Sequence, residues 1–302
     1  MPNYPYLPLD RSFKFVSDGH PFMEEAKRAR SELAGDSNWP NGAVLVKDGR
    51  VIARAGNGFN RGAGERHICP RIVLECQSGV EYELCSVHDQ AGHAEPQVVK
   101  AALEAGEDPR GTDIYMYGHF WACEPCWKAV IDAGVRDFYL LKNAVQIFTK
   151  EKVYGKTLAL RVKTGYISGP LTHLPEHEHG PMRELYERLA GVCSELGCRA
   201  YVPHLHMDPR DGTNWDPGEV WRKDVEQVRG ADVTIAEVTF PSLGAGGEIV
   251  YAQWHKRPVV LLSRKGVPVS RFVRGNPAVV YHIEYESIDQ ACRMLKNVLK
   301  QI

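Results

Sequence analysis

His93-Ala94-Glu95 and Cys123-Glu124-Pro125-Cys126 each stand at the start of a predicted helix, and this pair of segments most restricts how the first half of the chain can fold. Two cysteines three apart on a first helical turn can point at one ion, and the positive end of the helix favours their thiolates. With His93 as a third donor, the fourth tetrahedral position of a zinc ion is left for water, as a catalytic rather than a structural site requires. The ion acidifies that water. Glu95, two residues past the ligand histidine, cannot easily reach the same ion. It can carry a proton from the water to a ring nitrogen and then to a leaving amine. A closed zinc site without catalysis would use the same three donors, and the offset of Glu95 argues against it.

Charge and composition narrow the partners. Lys plus Arg (37) nearly balance Asp plus Glu (38), so the chain lacks the broad positive field that nucleic-acid binding usually needs. A small free nucleotide is the easier substrate. No run of 18 apolar residues occurs, and the N-terminus has neither the basic start nor the apolar stretch of a secretory signal. A cytoplasmic protein with no membrane partner is the expectation. Five of the eight cysteines fall between Cys69 and Cys126, a clustering that suggests metal or catalysis more than disulfides in a reducing compartment.

The hydropathy pattern divides the chain. After a Pro-rich lead, Phe22, Ala26, Ala29 and Leu33 recur at helical spacing, and Gly35 would end the helix. Residues 43–58 read as two strands around Lys47-Asp48-Gly49, since Asp-Gly supplies the positive φ of a tight hairpin. An irregular Cys- and His-bearing stretch covers about 60–92. A helix over about 94–106, a strand at Asp113–Tyr117, a helix over about 124–133 and a strand at Asp137–Leu141 follow. Weak periodicity over 142–163 puts a boundary there, giving domains 1–158 and 159–302. A second alternation then begins with a strand at Gly165–Ser168 and a helix from Pro181 whose stripe is Met182, Leu185, Leu189, Val192 and Leu196. A strand at Arg199–Val202 and a helix opened by Asp216-Pro217-Gly218-Glu219 come next. Apolar strands near 232–238 and 258–262 bracket a Gly-rich turn and another helix. This is a parallel α/β pattern.

Residues from about 20 to 142 resemble the cytidine and deoxycytidylate deaminase family, whose signature combines H-x-E with C-x-x-C. The resemblance implies a three-layer α/β/α domain with His93, Cys123 and Cys126 as zinc ligands and Glu95 as general acid/base. It also implies that Asn57, followed by Gly58, contacts the sugar. Ala122 stands where the family usually has Pro, and Gln97 where Asn is often found; neither change removes a ligand or the proton carrier. His67, Cys69, Cys76, Cys85 and His88 lie just before His93, and some deoxycytidylate deaminases are similar here, with an insertion that holds a second, structural zinc. His67, Cys69, Cys85 and His88 are the candidate set. The spacing is looser than a finger pattern, so buried free thiols and surface histidines fit it equally well.

The second half carries its own constellation. Asp224 shares a predicted helical face with Val220, Trp221 and Val228, so an acid interrupts a stripe that should be buried. The strand ending near Thr239 runs into Pro241-Ser242-Leu243-Gly244-Ala245-Gly246-Gly247, with Glu248 at the start of a helix. Backbone N–H groups and a hydroxyl at such a turn suit a phosphate, and parallel sheets gather ligands at the carboxyl ends of their strands. Residues from about 164 to 275 resemble the 2′-deoxynucleoside 5′-monophosphate N-glycosidases, relatives of the nucleoside 2-deoxyribosyltransferases. That likeness implies a Rossmann-like (flavodoxin-like) parallel-sheet α/β domain, with Tyr166 and Gly169 as the first-strand Tyr and Gly. Asp224 matches the acid that protonates the departing base or holds the sugar, and Glu248 matches the nucleophile. Ser242 and Gly244 match the phosphate cradle. Ser270, followed by Phe272 and Arg274-Gly275, resembles a segment that reaches a neighbouring subunit's phosphate, hence a homodimer or higher homo-oligomer. Thr172 replaces a basic residue often found after the first-strand glycine, and His173, His177 and His179 read as solvated loop residues. Glu248 also has a plainer reading, as an acid that favours the helix dipole.

Together the resemblances imply a bifunctional enzyme acting on a pyrimidine nucleoside monophosphate, with one catalytic Zn2+ and room for a second, structural ion. Deamination of a dCMP-type nucleotide would precede cleavage of the N-glycosidic bond, a two-carboxylate chemistry akin to retaining glycoside hydrolysis. Acting on ordinary dCMP, such a pair would drain the thymidylate precursor, so a modified base such as 5-hydroxymethylcytosine is the expected preference. Three other readings stay open. One domain could be a nucleotide sensor or dimerisation module; the substrates could be CMP-type ribonucleotides; or the target could be nucleic acid, against which the absence of a basic aromatic-rich tract stands.

Overall fold

The computed structural model describes residues 4–58, 66–77, 79–211 and 214–302. The chain divides into two compact units, Met1–Ala159 with Gln301, and Leu160–Lys300 with Ile302.

The first unit is built on a five-stranded sheet of β1 (Phe13–Val16), β2 (Gly42–Lys47), β3 (Arg50–Gly56), β4 (Asp113–Tyr117) and β5 (Asp137–Leu141), in the order β1-β5-β4-β2-β3. β2 and β3 form the antiparallel hairpin, with Ala43 opposite Ala55. Its turn is made by Asp48 and Gly49, both in left-handed backbone at φ 50° and 76°, the conformation an Asp-Gly pair tolerates. β2 also runs antiparallel to β4, whereas β4, β5 and β1 are parallel. β1 lies inside the stretch read as a lead; four residues of mixed polarity carry no strand signal, and its pairing with β5, Phe13 opposite Phe138, holds it in place.

The helices of this unit are α1 (Pro21–Leu33), α2 (Pro70–Val73), α3 (Ala94–Glu104), α4 (Glu124–Asp132), α5 (Ala144–Ile147) and α6 (Lys150–Thr157). α1 buries Met23, Ala26 and Ala29, while Leu33, expected on that stripe, is 45% exposed. The α1 backbone runs so close to the sheet that a Cβ on Gly42 would stand 2.2 Å from Arg30 N, and one on Gly56 2.3 Å from Ala34 N. Glycine is needed at both positions for that approach. α1 and α3 both pack on β2 and β3 without packing substantially on each other, so they cover opposite faces, and α4 lies beside α3. This is a three-layer α/β/α unit. α5 and α6 occupy the stretch read as a linker; at 4 and 8 residues they are too short for periodicity to reveal.

The second unit has β6 (Thr164–Ser168), β7 (Arg199–Tyr201), β8 (Val233–Glu237), β9 (Val259–Arg264) and β10 (Val279–Tyr285), all parallel, in the order β10-β9-β8-β6-β7. Starting from the far edge, the unit's second strand lies beside its first and the third, fourth and fifth follow, which is the flavodoxin-like order. The helices are α7 (His179–Glu195), α8 (Pro217–Gly230), α9 (Leu243–Trp254), α10 (Arg271–Arg274) and α11 (Ile288–Leu299). α7 packs with α11 on one face and α8 with α9 on the other. α11 buries Ala291, Cys292, Met294, Leu295, Val298 and Leu299. That stripe spans two turns, and each large apolar side chain in it stabilises the unit by about 1.5–3 kcal/mol. The strand order reverses between β6 and β8, so the crevice of the sheet opens at the carboxyl ends of those two strands. Among the described residues no helix is long and apolar enough to cross a membrane.

Candidate active sites

In the first unit, His93 is the N-cap of α3 and Cys123 the N-cap of α4, with Cys126 in the first turn of α4. His93 Nδ1 stands 3.3 Å from Cys126 Sγ and 3.6 Å from Cys123 Sγ. The three donor atoms lie within 4.8 Å of one another. One imidazole nitrogen and two sulfurs this close, at helix N-termini that favour thiolate, fit a zinc ion. Glu95, in the first turn of α3, is 5% exposed, and burial pushes its carboxyl up to about 7.

Further groups surround these donors. Tyr82 meets the His93 ring edge-on at 5.2 Å, with the Arg71 guanidinium 4.4 Å from the centre of its own ring. His119 stacks on Trp39 at 5.0 Å. Its Nδ1 accepts the backbone N–H of Phe120 and of Trp121, at 3.0 and 3.3 Å, which leaves the ring proton on Nε2. Asn57 is buried just after β3, and its side chain braces the loop between α1 and β2 by accepting from Asn41 N (2.7 Å) and donating to Trp39 O (2.9 Å) and Asp36 Oδ2 (3.3 Å).

His67, Cys69, Cys85 and His88 form a second group of donors within 4.8 Å of one another. His88 Nδ1 stands 3.2 Å from Cys69 Sγ and 3.3 Å from Cys85 Sγ. His67 Nε2 is buried with no hydrogen-bond partner, as a ring nitrogen aimed at an ion would be. Two sulfurs and two imidazoles are a complete tetrahedral set for zinc. The surface-histidine alternative is overturned, since His67 and His88 are 9% and 8% exposed. Cys76 is only partly buried and stands outside the group. Asp36, which sequence reasoning passed over, places Oδ2 2.8 Å from His88 Nε2. A carboxylate there fixes the histidine's ring and tautomer. Its only sequence signal is an acid in the turn after α1.

In the second unit, Tyr166 and Ser168 project from one face of β6. Tyr166 Oη donates to Glu248 Oε1 at 2.7 Å, and Ser168 Oγ donates to Oε2 at 2.5 Å. Burial pushes the Glu248 carboxyl up to about 7; the two hydroxyls oppose the rise and the nearby Asp224 adds to it. Burial also raises Asp224, against the pull of Tyr166, and Asp224 Oδ1 is buried without a hydrogen-bond partner. Both acids line a cleft of about 1070 Å³ that also takes in Gly169, Thr172, His173, Ser242 and Gly244. Ser242 caps α9 by accepting from Ala245 N at 3.2 Å. A Cβ on Gly169 would stand 2.4 Å from Tyr186 Oη, so glycine alone fits.

Several expectations change. The stripe of Asp224 is not buried: Val228 is, but Val220 and Trp221 line the cleft, and Trp221 is 63% exposed. An acid among apolar residues here marks a concave wall. Glu248 is the sixth residue of α9, whose first turn holds no acid, so its carboxylate serves β6 and not the helix dipole. His177 is exposed as expected, but His179 is 9% exposed at the start of α7, with Nδ1 3.3 Å from Arg183 Nη1. Ser270 opens α10 and is exposed, outside the lining of the cleft in its own unit. Ser168 was missed, although a Tyr-x-Ser alternation on a buried strand was a readable signal.

Residues 17–142 match the model of the cytidine and deoxycytidylate deaminase zinc-binding region. That stretch holds His93, Glu95, Cys123 and Cys126, while Asp224 and Glu248 line the cleft of the flavodoxin-order unit that follows it. The putative 2′-deoxynucleoside 5′-phosphate N-hydrolase 1 of Thermofilum pendens is 35% identical over 117 residues, which are 37% of this chain and 82% of that protein. The chain belongs to that N-hydrolase family. The protein of the same name from Syntrophotalea carbinolica is 34% identical over 93 residues, 30% of this chain, and the chain spans 65% of its length. The solved CMP N-glycosidase of Clostridium botulinum is 17% identical, with 43% of this chain and 94% of that one covered, at a TM-score of 0.34.

Proposed function

We propose that residues 1–158 deaminate a dCMP-type nucleotide and that residues 159–302 hydrolyse the N-glycosidic bond of the dUMP-type product. The observation that carries this reading is the convergence of His93 Nδ1, Cys123 Sγ and Cys126 Sγ within 4.8 Å beside a buried Glu95, in a chain that also joins Tyr166 to Glu248 at 2.7 Å. His93, Cys123 and Cys126 would hold a zinc ion, and the chemistry it would supply is Lewis acidity that acidifies the attacking water. Glu95 takes a proton from water and delivers it to the ring nitrogen and then to the departing amine, so the aminated pyrimidine and water become the oxo-pyrimidine and ammonia. His67, Cys69, Cys85 and His88 would hold a second ion with a structural role.

In the second unit Glu248 attacks C1′ as a carboxylate while Asp224, the acid without hydroxyl donors on both oxygens, gives its proton to the leaving base. Water then releases deoxyribose 5-phosphate from Glu248. Ser242 and the backbone N–H groups after it bind the 5′-phosphate, with Ser270 supplied by a second copy. A 5-hydroxymethyl base is the preferred substrate, because a pair of activities aimed at ordinary dCMP would consume a thymidylate precursor.

The test is to incubate the zinc-loaded protein with dCMP, 5-hydroxymethyl-dCMP, CMP and dUMP and to follow ammonia, free base and sugar phosphate together. Ammonia and free base from the same deoxynucleotide are expected, fastest with the hydroxymethylated one. Ammonia without base, or base without ammonia, reduces the protein to a single activity. Equal rates on dCMP and 5-hydroxymethyl-dCMP remove the preference.

A further inference from the structure

We propose that Ser168 is a positioning residue for glycosidic cleavage, its hydroxyl and that of Tyr166 clamping the two oxygens of Glu248 one each. The inference deepens the reading of the cleft as a glycosidic site and rests on it. β6 lies between β7 and β8, and Ser168 is fully buried on it. A hydroxyl in such a strand is unfavourable unless it is hydrogen-bonded, and the acceptor of this one is Glu248 Oε2, at 2.5 Å. Tyr166, two residues earlier on the same face, holds Oε1 at 2.7 Å. With a donor on each oxygen the carboxylate cannot turn about its terminal bond, and each oxygen keeps a lone pair for C1′.

The clamp also governs ionisation. The groups that act on Glu248 are Tyr166 and Ser168 from β6 and Asp224 from α8, and the neutral phenol of Tyr186 from α7 lines the same cleft. The only charge among them is Asp224, of like sign, and burial acts in the same direction as that charge. The two hydroxyls are therefore what favours the anion, by hydrogen bonds that strengthen when the acceptor is charged. Ser168 gives up no proton in the reaction.

Ser168→Ala removes the donor, and Ser168→Cys keeps a weak one. Two readouts are taken: the acid limb of kcat/KM for base release from dUMP, and the carboxyl titration of Glu248 by NMR of protein labelled with 13C at glutamate carboxyls, assigned with Glu248→Gln. In Ser168→Ala both midpoints move up by about one pH unit, and the plateau kcat falls about tenfold with KM little changed. Ser168→Cys lies between. Midpoints that stay within about 0.2 of wild type in both variants overturn the proposal, even if kcat falls, because a merely structural serine would not move them. If Ser168→Ala does not fold, Ser168→Cys decides by the same criterion. Wild-type protein that releases no base from any pyrimidine monophosphate overturns the reading of the cleft, and the carboxyl titration still decides whether Ser168 holds Glu248.

Discussion

Replacing Glu248 with Gln alters stability in a way that depends on pH. The carboxyl is held at about 7, against an ordinary value of 4.5, chiefly by burial. The fold therefore favours its protonated form. The stability this contributes is fully present below pH 4.5 and is lost as pH rises through 7, up to about 3 kcal/mol at 1.36 kcal/mol per unit. Glutamine does not titrate, and its amide cannot accept from both Tyr166 and Ser168, a pH-independent loss of about 1–2 kcal/mol. Glu248→Gln should thus be the less stable protein at pH 4.5 and should gain on wild type by about 2–3 kcal/mol by pH 8.5. Urea unfolding at both pH values measures this, with separate transitions fitted because two compact units need not unfold together. A stability difference that is the same at both pH values, within about 0.5 kcal/mol, would refute the reasoning.

Glu95→Gln should lower ammonia release by about 10²–10⁴-fold and leave base release from dUMP intact, which separate ammonia and base assays distinguish. Elemental analysis should find two zinc ions per chain; Cys85→Ser should leave one and lower the melting temperature, whereas Cys126→Ser should leave one and abolish deamination. Gly169→Ala places a methyl 2.4 Å from Tyr186 Oη, an overpacking that should cost about 1–3 kcal/mol in the unfolding of the second unit. Ser242→Ala should remove a helix cap worth about 1 kcal/mol and raise KM for dUMP more than for deoxyuridine, as steady-state kinetics on the two would show.

What could be read along the chain is what depends on near neighbours. The Asp48-Gly49 turn and the stripe of α7 are set within one or two turns of backbone, and both are legible in the residues themselves. The stripe of α11 is just as periodic and was open to the same reading. β1 and the short α5 and α6 fall below that range: four residues of Phe-Lys-Phe-Val become a strand because β5 offers an edge, and nothing local records that. The His/Cys group before His93 had the right residue types, but the burial of its histidines and the pairing of His88 with Asp36, more than 50 positions upstream of it, are set by tertiary packing.

By itself the amino-acid order determined the donor types and their spacing around His93 and Cys123, the parallel alternation of the second half, and the acid at 224 that breaks an apolar face. Tertiary structure alone decided that this face lines a cleft, that His179 is buried beside Arg183, and that Glu248 lies under the hydroxyls of Tyr166 and Ser168, 82 and 80 positions away. The reason is geometric. Side-chain period and turn chemistry are properties of a few consecutive residues, whereas the partner of a carboxylate is set by which strands lie adjacent, and strand order is a property of the whole sheet.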